Sequence, residues 1–458
     1  MSPAPDAAPD AVPDTAATAG EVDDSRRVSM LLGLLFGLAG MGSSSAAVAL
    51  ALLGEDLGVS PGLAAWAISL YVLMLAVTTA LYGRISDLVG VRGPLLAGLV
   101  LMSIGALVAA LAPTFEVLLG ARMLQGAGAA AVPTLGVTIL SAKYTGEVRG
   151  LAFGRLAGVA AAVSCLGPLI GGLVEAAWGW RAVMALPILG ALVVPFLWRA
   201  LPTGGSGARL DVVGAILVAL TAAGMVLLVQ SPSAGLVVAA IGAGLLVLGV
   251  PAVRSTVRRR PDGFLPVEVI RNATVVRSAV AASAVPASWF AMLIALPAVL
   301  LGEGWQAWQV GLAMVPSAVV ALLVPQVTGP MLTRIGPSRA LAVSGLVASA
   351  ALLVATAGAF WANAAVLVVG IILVTFAFGL GQPALSAVVG DAVHHDVRGV
   401  ALGVSTLLFL IGGSVGSAVV AGISGPLGMP VALLVLAGLP LLGLVVLAPT
   451  LRAQPITD

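Results

Sequence analysis

The sequence predicts an all-α polytopic membrane protein, and three observations carry that reading. Of the 458 residues, 60% are hydrophobic and 9% charged, with a mean hydropathy of +1.15, a balance foreign to water-soluble globules. Apolar runs of about 20 residues, enough to cross about 30 Å of hydrocarbon as helix, recur along nearly the whole chain. Basic residues gather in alternate connections between these runs, as the positive-inside rule requires of a multi-pass protein.

The Ala/Pro/Asp-rich residues 1–27 have no apolar core and are expected to form a disordered cytoplasmic tail, not a signal peptide. Fourteen spans are then expected, the first six at 28–53, 62–82, 94–112, 114–140, 150–174 and 181–199. Spans 7 and 8 fall at 211–230 and 234–253. The last six fall at 277–300, 309–330, 338–359, 363–388, 399–422 and 429–450. The organisation is a six-helix bundle over 28–200, two inserted helices over 201–253, a cytoplasmic loop over 254–276, a second bundle over 277–450 and a tail over 451–458. The loop is basic, with Arg254, Arg258, Arg259, Arg260 and Arg271.

Arg26, Arg27, Arg84, Arg92, Lys143, Arg149, Arg199, Arg209, Arg334, Arg339, Arg398 and Arg452 all lie at the termini or in even-numbered connections. Odd-numbered connections carry Glu55, Asp56, Glu175 and Glu303, with Arg181 as their lone base. Both termini are therefore expected in the cytoplasm, with the chain in the cell membrane and an even number of spans. Trp66, Trp178, Trp180, Trp305, Trp308 and Trp361 sit at expected outer ends and Trp198 at an inner end, as an interfacial belt would. Trp289 is near mid-membrane.

A net charge of +2 argues against a nucleic-acid partner. The single cysteine, Cys165, excludes an intrachain disulfide and reads as a small buried hydrophobe. No His/Cys/Asp cluster has metal-ligand spacing, and no intramembrane nucleophile is paired with a base, so neither an enzyme nor a metal or cofactor is expected. A nucleotide-driven pump is disfavoured because no phosphate-binding Gly-x-x-x-x-Gly-Lys-Ser/Thr occurs.

Three motifs stand out. Gly83-Arg-Ile-Ser-Asp-Leu-Val-Gly-Val-Arg92 sets Arg84, Asp87 and Arg92 between spans 2 and 3, with Gly83 and Gly90 allowing close approach or φ > 0. At the end of its helix Asp87 meets an unfavourable dipole and needs partners, with Arg84, Arg92 and the region of Arg398 as candidates. Span 4 carries Arg122-Met-Leu-Gln125-Gly126-Ala-Gly128, whose intramembrane arginine is a functional candidate and whose glycines permit close helix packing. Span 5 carries Gly154-x-x-x-Gly158 and Gly167-Pro168-Leu-Ile-Gly171-Gly172, a bend flanked by close-packing glycines. Gly329 to Gly336 repeats the Gly83-to-Gly90 spacing, with Thr333 in the place of Asp87.

In order and placement these strings resemble the signatures of the major facilitator superfamily, and over about residues 60–200 the chain looks most like its fourteen-helix drug:proton antiporters, which include Gram-positive tetracycline exporters. The resemblance implies a major facilitator fold, with two six-helix bundles, two extra central helices and a substrate site between the bundles. It implies a charge lock at Asp87 and a part for Arg122 in proton coupling. The span-5 string is similar to that of the exporter branch, with Val163 where glycine is usual. Ser43, Ser44, Tyr71, Arg122, Gln125, Trp289 and Phe290 would line a largely apolar cavity for planar amphipathic drugs.

One departure stands against this resemblance. Antiport needs a group that changes protonation, yet no Asp or Glu lies at mid-span; span 1 has Gly42-Ser43-Ser44-Ser45 and span 13 Gly412-Gly413-Ser414 where relatives carry acids. Either Arg122 with Glu116, or Asp87, carries the coupling, or coupling differs from the relatives'. The expected function is export of a hydrophobic drug against protons by a monomer in the bilayer. The alternatives are uptake or uncoupled facilitation of a metabolite, or a non-transporting scaffold or receptor-like protein.

Overall fold

The computed structural model describes residues 19–144, 146–201, 212–259, 267–394 and 398–452, which form helices joined by short turns with no strand among them. Arg209, Asp211, Arg260 and His395 lie outside the described residues, as do the side chains of Arg84 and Asp87. The first half runs through α1 Ala19–Asp56, α2 Pro61–Ala64, α3 Trp66–Val89, α4 Arg92–Ala110, α5 Phe115–Ala129, α6 Ala131–Lys143 and α7 Gly146–Ala185. The 3-10 turns Leu186–Val193 and Trp198–Ala200 enclose α8, Val194–Leu197. Next come α9 Val212–Ala234, α10 Leu236–Arg259 and α11 Val267–Arg271. The second half holds α12 Ala273–Ala282, α13 Ala284–Gly302, α14 Ala307–Ile335, α15 Pro337–Phe360, α16 Ala364–Ala392, α17 Arg398–Leu427 and α18 Met429–Arg452.

Among the described residues, twelve helices are long and apolar enough to cross a membrane. One such stretch, Leu151–Ala200, is 50 residues long and breaks at Gly179, where φ is 77°. Polar side chains cap several starts: Thr114 accepts from the Val117 N–H, Asn272 from Thr274 and Val275, and Asn363 from Val366.

Three sequence expectations need correction. Residues 19–27 belong to α1, where Asp24 takes an ion pair from Lys143 at 2.9 Å and a hydrogen bond from the Tyr144 hydroxyl at 2.6 Å, while Arg155 donates to Ser25 at 3.3 Å. The expected tail is thus tied to the α6–α7 junction over that part. Gly83 to Val89 is helix, so the connection between spans 2 and 3 shrinks to Gly90 and Val91. Of its two glycines, Gly90 takes φ 80°, while Gly83 stays helical with Thr134 3.4 Å from where its Cβ would be. Much of 254–276 is also helical, in α10, α11 and α12.

The repeat spacing has a backbone counterpart. Gly90 (φ 80°) ends α3 and Gly336 (φ 81°) ends α14, each leading directly into the next helix. Gly58 and Gly304, and Gly179 and Gly428, form two further left-handed pairs at nearly the same separation in sequence. A side chain with a Cβ resists this region, so glycine recurs at each turn.

Small residues set the packing. Gly33, Gly37 and Gly40 of α1 leave no room for a Cβ against Leu156, Val163 and Ser164 of α7. Val163 is accommodated by the partner helix, since Gly37 supplies the missing volume. Gly242 of α10 lies against Leu228 and Gly224 of α9 at 2.6 and 2.9 Å from its would-be Cβ, and α9 rests on α3 and α17.

Candidate functional site

Arg122 is fully buried and points into the first half, not towards lipid. Its Nε donates to the Ala67 carbonyl at 2.7 Å, its Nη1 donates to Gln125 Oε1 at 2.6 Å, and the guanidinium carbon lies 4.5 Å from the centre of the Tyr71 ring. Tyr71 is held in turn by donating its hydroxyl to the Ala39 carbonyl. Residues three apart on a helix share a face, so Gln125 reaches Arg122 from the same helix, α5.

The span-4 glycines make this approach possible. A Cβ on Gly126 would stand 2.9 Å from the Tyr71 carbonyl carbon, and one on Gly128 would stand 2.9 Å from Leu101. Gly105 of α4 likewise admits Gln125, whose Cα is 2.7 Å from its would-be Cβ. With α3 and α4 this close, the Ala67 carbonyl and Tyr71 ring come within reach of the guanidinium.

Two donors in this group remain without a hydrogen-bond partner among the described residues, Arg122 Nη2 and Gln125 Nε2. Gly42 of α1 faces the second of these: its would-be Cβ is 3.4 Å from Gln125 Nε2, 3.5 Å from the Tyr71 hydroxyl and 3.1 Å from Pro187 Cγ. The ion pairs among the described residues are Lys143–Asp24 and Arg181–Asp56, so the buried cation has no counter-charge there.

The span-5 glycines work on two faces of α7. Gly167 and Gly171 meet Ser44 and Ser45 of α1, while Gly172 meets the Ala307 backbone of α14 at 2.5 Å from its would-be Cβ. Pro168 sits inside α7 with its carbonyl 2.6 Å from the would-be Cβ of Gly311. Gly158 approaches Pro325 and Gly154 more loosely so, at 3.4 and 3.9 Å. α7 thus joins its own half to the other along most of its length. Cys165 also faces across this seam, with its thiol against Ser317 and Thr375.

A second seam joins α3 to α17. The Ser69 and Ser417 hydroxyls are 2.8 Å apart and buried, and Phe290 and Val72 both pack over Gly413, whose would-be Cβ is 2.6 Å from Phe290 and 3.2 Å from Val72. Trp289 is buried in an aromatic cluster: its ring lies 5.1 Å from Phe290 in an edge contact and 5.2 Å from Phe378, which lies 5.5 Å from Phe409.

The structure brings Tyr71, Arg122 and Gln125 together, sets Phe290 at the seam and packs Trp289 against it. It does not bring Glu116 to Arg122; Glu116 is exposed on the first turn of α5. Ser43 turns back to the Gly40 carbonyl and Ser44 packs on Gly167, so both serve α1 packing. Arg92 donates from Nε and Nη2 to the Leu201 carbonyl at 3.1 and 2.9 Å and stacks on Trp198, and Arg398 donates to the Gly390 carbonyl at 2.9 Å. Trp66 and Trp180 are buried, unlike the exposed Trp178, Trp305, Trp308 and Trp361. The Trp180 indole donates to Asp56 at 3.0 Å, beside the Arg181–Asp56 pair at 2.6 Å. The Arg181 hydrogen bond, joined by that of Trp180, holds the Asp56 carboxyl below its usual range. Sequence reasoning missed the Ser69–Ser417 link, Phe378, Phe409 and the position of Gly42 over Gln125.

The family model described as Major Facilitator Superfamily matches residues 32–417 and 278–457. The cephamycin export protein CmcT of Amycolatopsis lactamdurans is 30% identical over 318 residues, 65% of this chain and 64% of that protein. The multidrug resistance protein Stp of Mycobacterium tuberculosis is 25% identical over 373 residues, 78% of this chain and 68% of that one. The uncharacterized transporter YebQ of Escherichia coli is 27% identical over 256 residues, 56% of its length, so the chain spans about half to two thirds of these curated relatives. A crystal structure of a POT family transporter in complex with 5-aminolevulinic acid superposes with a TM-score of 0.67 at 16% identity, over 94% of this chain and 96% of that one, which establishes likeness of fold. With a helical membrane fold, a signature arginine buried where α3, α4 and α5 converge, and a family match across most of its length, the chain belongs to the major facilitator superfamily of membrane transporters.

Proposed function

We propose that this protein exports small, largely apolar drug-like molecules from the cell by alternating access, as a secondary transporter driven by protons. The observation that carries the reading is the fully buried Arg122, held by Ala67, Gln125 and Tyr71 beside the seam between the halves. A cation in that position is costly and has no use in a passive scaffold. The names of two relatives, a cephamycin exporter and a multidrug resistance protein, support export and a drug-like substrate.

In this reading the two halves rock about the α7–α14 and α3–α17 seams. The Ser69–Ser417 link closes the outer end, and the chain sits in the cell membrane as a monomer with both termini in the cytoplasm. Asp87, with Arg84 and Arg92, guards the inner end. The halves are spans 1–6 and 9–14, with α9 and α10 as the inserted pair. Two observations support fourteen spans: the break at Gly179 within Leu151–Ala200, and the 23-residue apolar α9 paired with α10.

The second reading, uncoupled facilitation or uptake, draws on the described carboxylates, which lie near helix ends or, for Glu175, just before the break at Gly179 in α7. Expression in a pump-deficient bacterium, with drug susceptibility and proton flux in everted vesicles for wild type, Asp87→Asn and Arg122→Ala, tests the proposal. Both variants are expected to lose resistance at normal membrane abundance. Resistance without proton flux would favour facilitation, and full resistance in both variants would overturn the mechanism.

A further inference from the structure

Among the described residues the buried cation at Arg122 lacks a counter-charge, and the groups around it state what could supply one. Its five N–H bonds have two acceptors, the Ala67 carbonyl and Gln125 Oε1, and both are neutral. The Tyr71 face adds a partial negative charge only. Because Arg122 donates to Gln125, the amide is fixed with its oxygen towards the guanidinium and its NH2 group left over. The orphan Nη2 and Nε2 donors therefore belong to neighbouring side-chain heads, and both are fully enclosed.

We infer that these two donors form a seat for a carboxylate group carried by the transported molecule, an assignment that rests on the export reading above. A buried cation is tolerated when paired and hydrogen-bonded. A planar carboxylate supplies both the charge and two acceptor oxygens, and its bonds to a guanidinium are charge-assisted. Water would fill the donors and leave the charge; a metal ion would be repelled. In this conformation the seat is closed, since a Cβ on Gly42 would already stand 3.1 Å from Pro187 Cγ and 3.4 Å from Gln125 Nε2; Gly42 itself brings no side chain to the donors, and Pro187 opposite it has no N–H to compete. Tyr71 is followed by Val72, which packs at Gly413 against the other half, so the seat lies beside a contact that alternating access must remake.

A free carboxylate has the same chemistry, and the test separates the two sources. Purified protein in lipid nanodiscs is titrated with naphthoate, with its neutral counterpart naphthamide, and with acetate, following thermal stabilisation. Wild type is expected to bind naphthoate at least about tenfold more tightly than naphthamide, the worth of one charge-assisted hydrogen bond. Acetate that displaces naphthoate at millimolar concentration would mean the seat also accepts free carboxylates; acetate without effect would restrict it to carboxylates on an apolar body. Arg122→Gln is expected to abolish the preference. Gly42→Ala, which keeps the arginine and narrows the space, is expected to reduce it should Arg122→Gln fail to fold. Equal binding of naphthoate and naphthamide by wild type, or an undiminished preference in Gly42→Ala and in any folded Arg122→Gln, would overturn the seat. Carboxylate preference in a protein that confers no drug resistance would instead refute the export reading and leave the seat standing.

Discussion

Ser69 of α3 and Ser417 of α17 are hydrogen-bonded to each other at 2.8 Å, far apart in sequence and buried between the two halves of the molecule. A hydroxyl pair of this kind contributes about 1 kcal/mol, enough to bias an equilibrium between two conformations without freezing it. Replacing both by cysteine, with Cys165→Ala to remove the native thiol, is expected to yield an oxidisable pair. Oxidation should stop transport in vesicles and reduction should restore it. Unimpaired transport by the fully oxidised protein, verified by mass spectrometry, would mean that this contact never opens.

The α3–α5 contact makes a second prediction. Gly126 lies against the Tyr71 backbone so closely that an added methyl group must push the helices apart. Overpacking of this sort costs about 1–3 kcal/mol. Gly126→Ala should lower the unfolding temperature and also weaken transport, because the shift lengthens the 2.7 Å bond from Arg122 to Ala67. Gly120 of the same helix has open space at its Cβ, and Gly120→Ala should do neither.

Arg122 itself predicts a failure of the conservative change. Lysine keeps the charge but lacks the planar fork that serves Ala67 and Gln125 at once. Arg122→Lys is therefore expected to reduce resistance by tenfold or more, of about the order of one lost charge-assisted bond, at unchanged membrane abundance. Minimum inhibitory concentrations read against immunoblots decide it.

At the turn that ends α1, acid should act through Asp56. The Arg181 and Trp180 hydrogen bonds depress its pKa, so their stabilisation is present above the ordinary carboxylate range and is lost as pH falls through the lowered value. Fluorescence of Trp180, measured in a variant retaining only that tryptophan, should shift as the pH is taken below the usual Asp range, and Asp56→Asn should remove the shift.

These cases mark what the sequence could reveal. Arg122 and Gln125 were legible because they are polar, three residues apart and surrounded by apolar neighbours, so one helix sufficed to pair them. The left-handed turn at Gly90 and its echo at Gly336 were legible through spacing alone. Depth along a span suggested Ser43 and Ser44 as cavity residues but does not say which face each presents; for Ser44 the contact with Gly167 adds that information, and Gly167 lies on another helix. Trp66 and Trp180 followed the depth expected of a belt and yet turned inward. The first turns of α1 read as tail because the acids there look solvated until Lys143 and Tyr144 arrive from over a hundred residues away. Contacts between helices carry no local signature.

Gly42 offers the last and most specific test. An aspartate there would direct a carboxylate at the Gln125 amide and towards the unpaired guanidinium nitrogen, after Pro187 yields by a few tenths of an ångström from 3.1 Å. Pairing the buried cation should outweigh that small displacement, since an unpaired buried charge costs more than a strained contact. Gly42→Asp is therefore expected to raise the unfolding temperature at neutral pH. It should also abolish any preference for naphthoate over naphthamide, because the substituted carboxylate occupies the donors. A variant that is destabilised and still prefers naphthoate would place the unpaired donors out of reach of position 42.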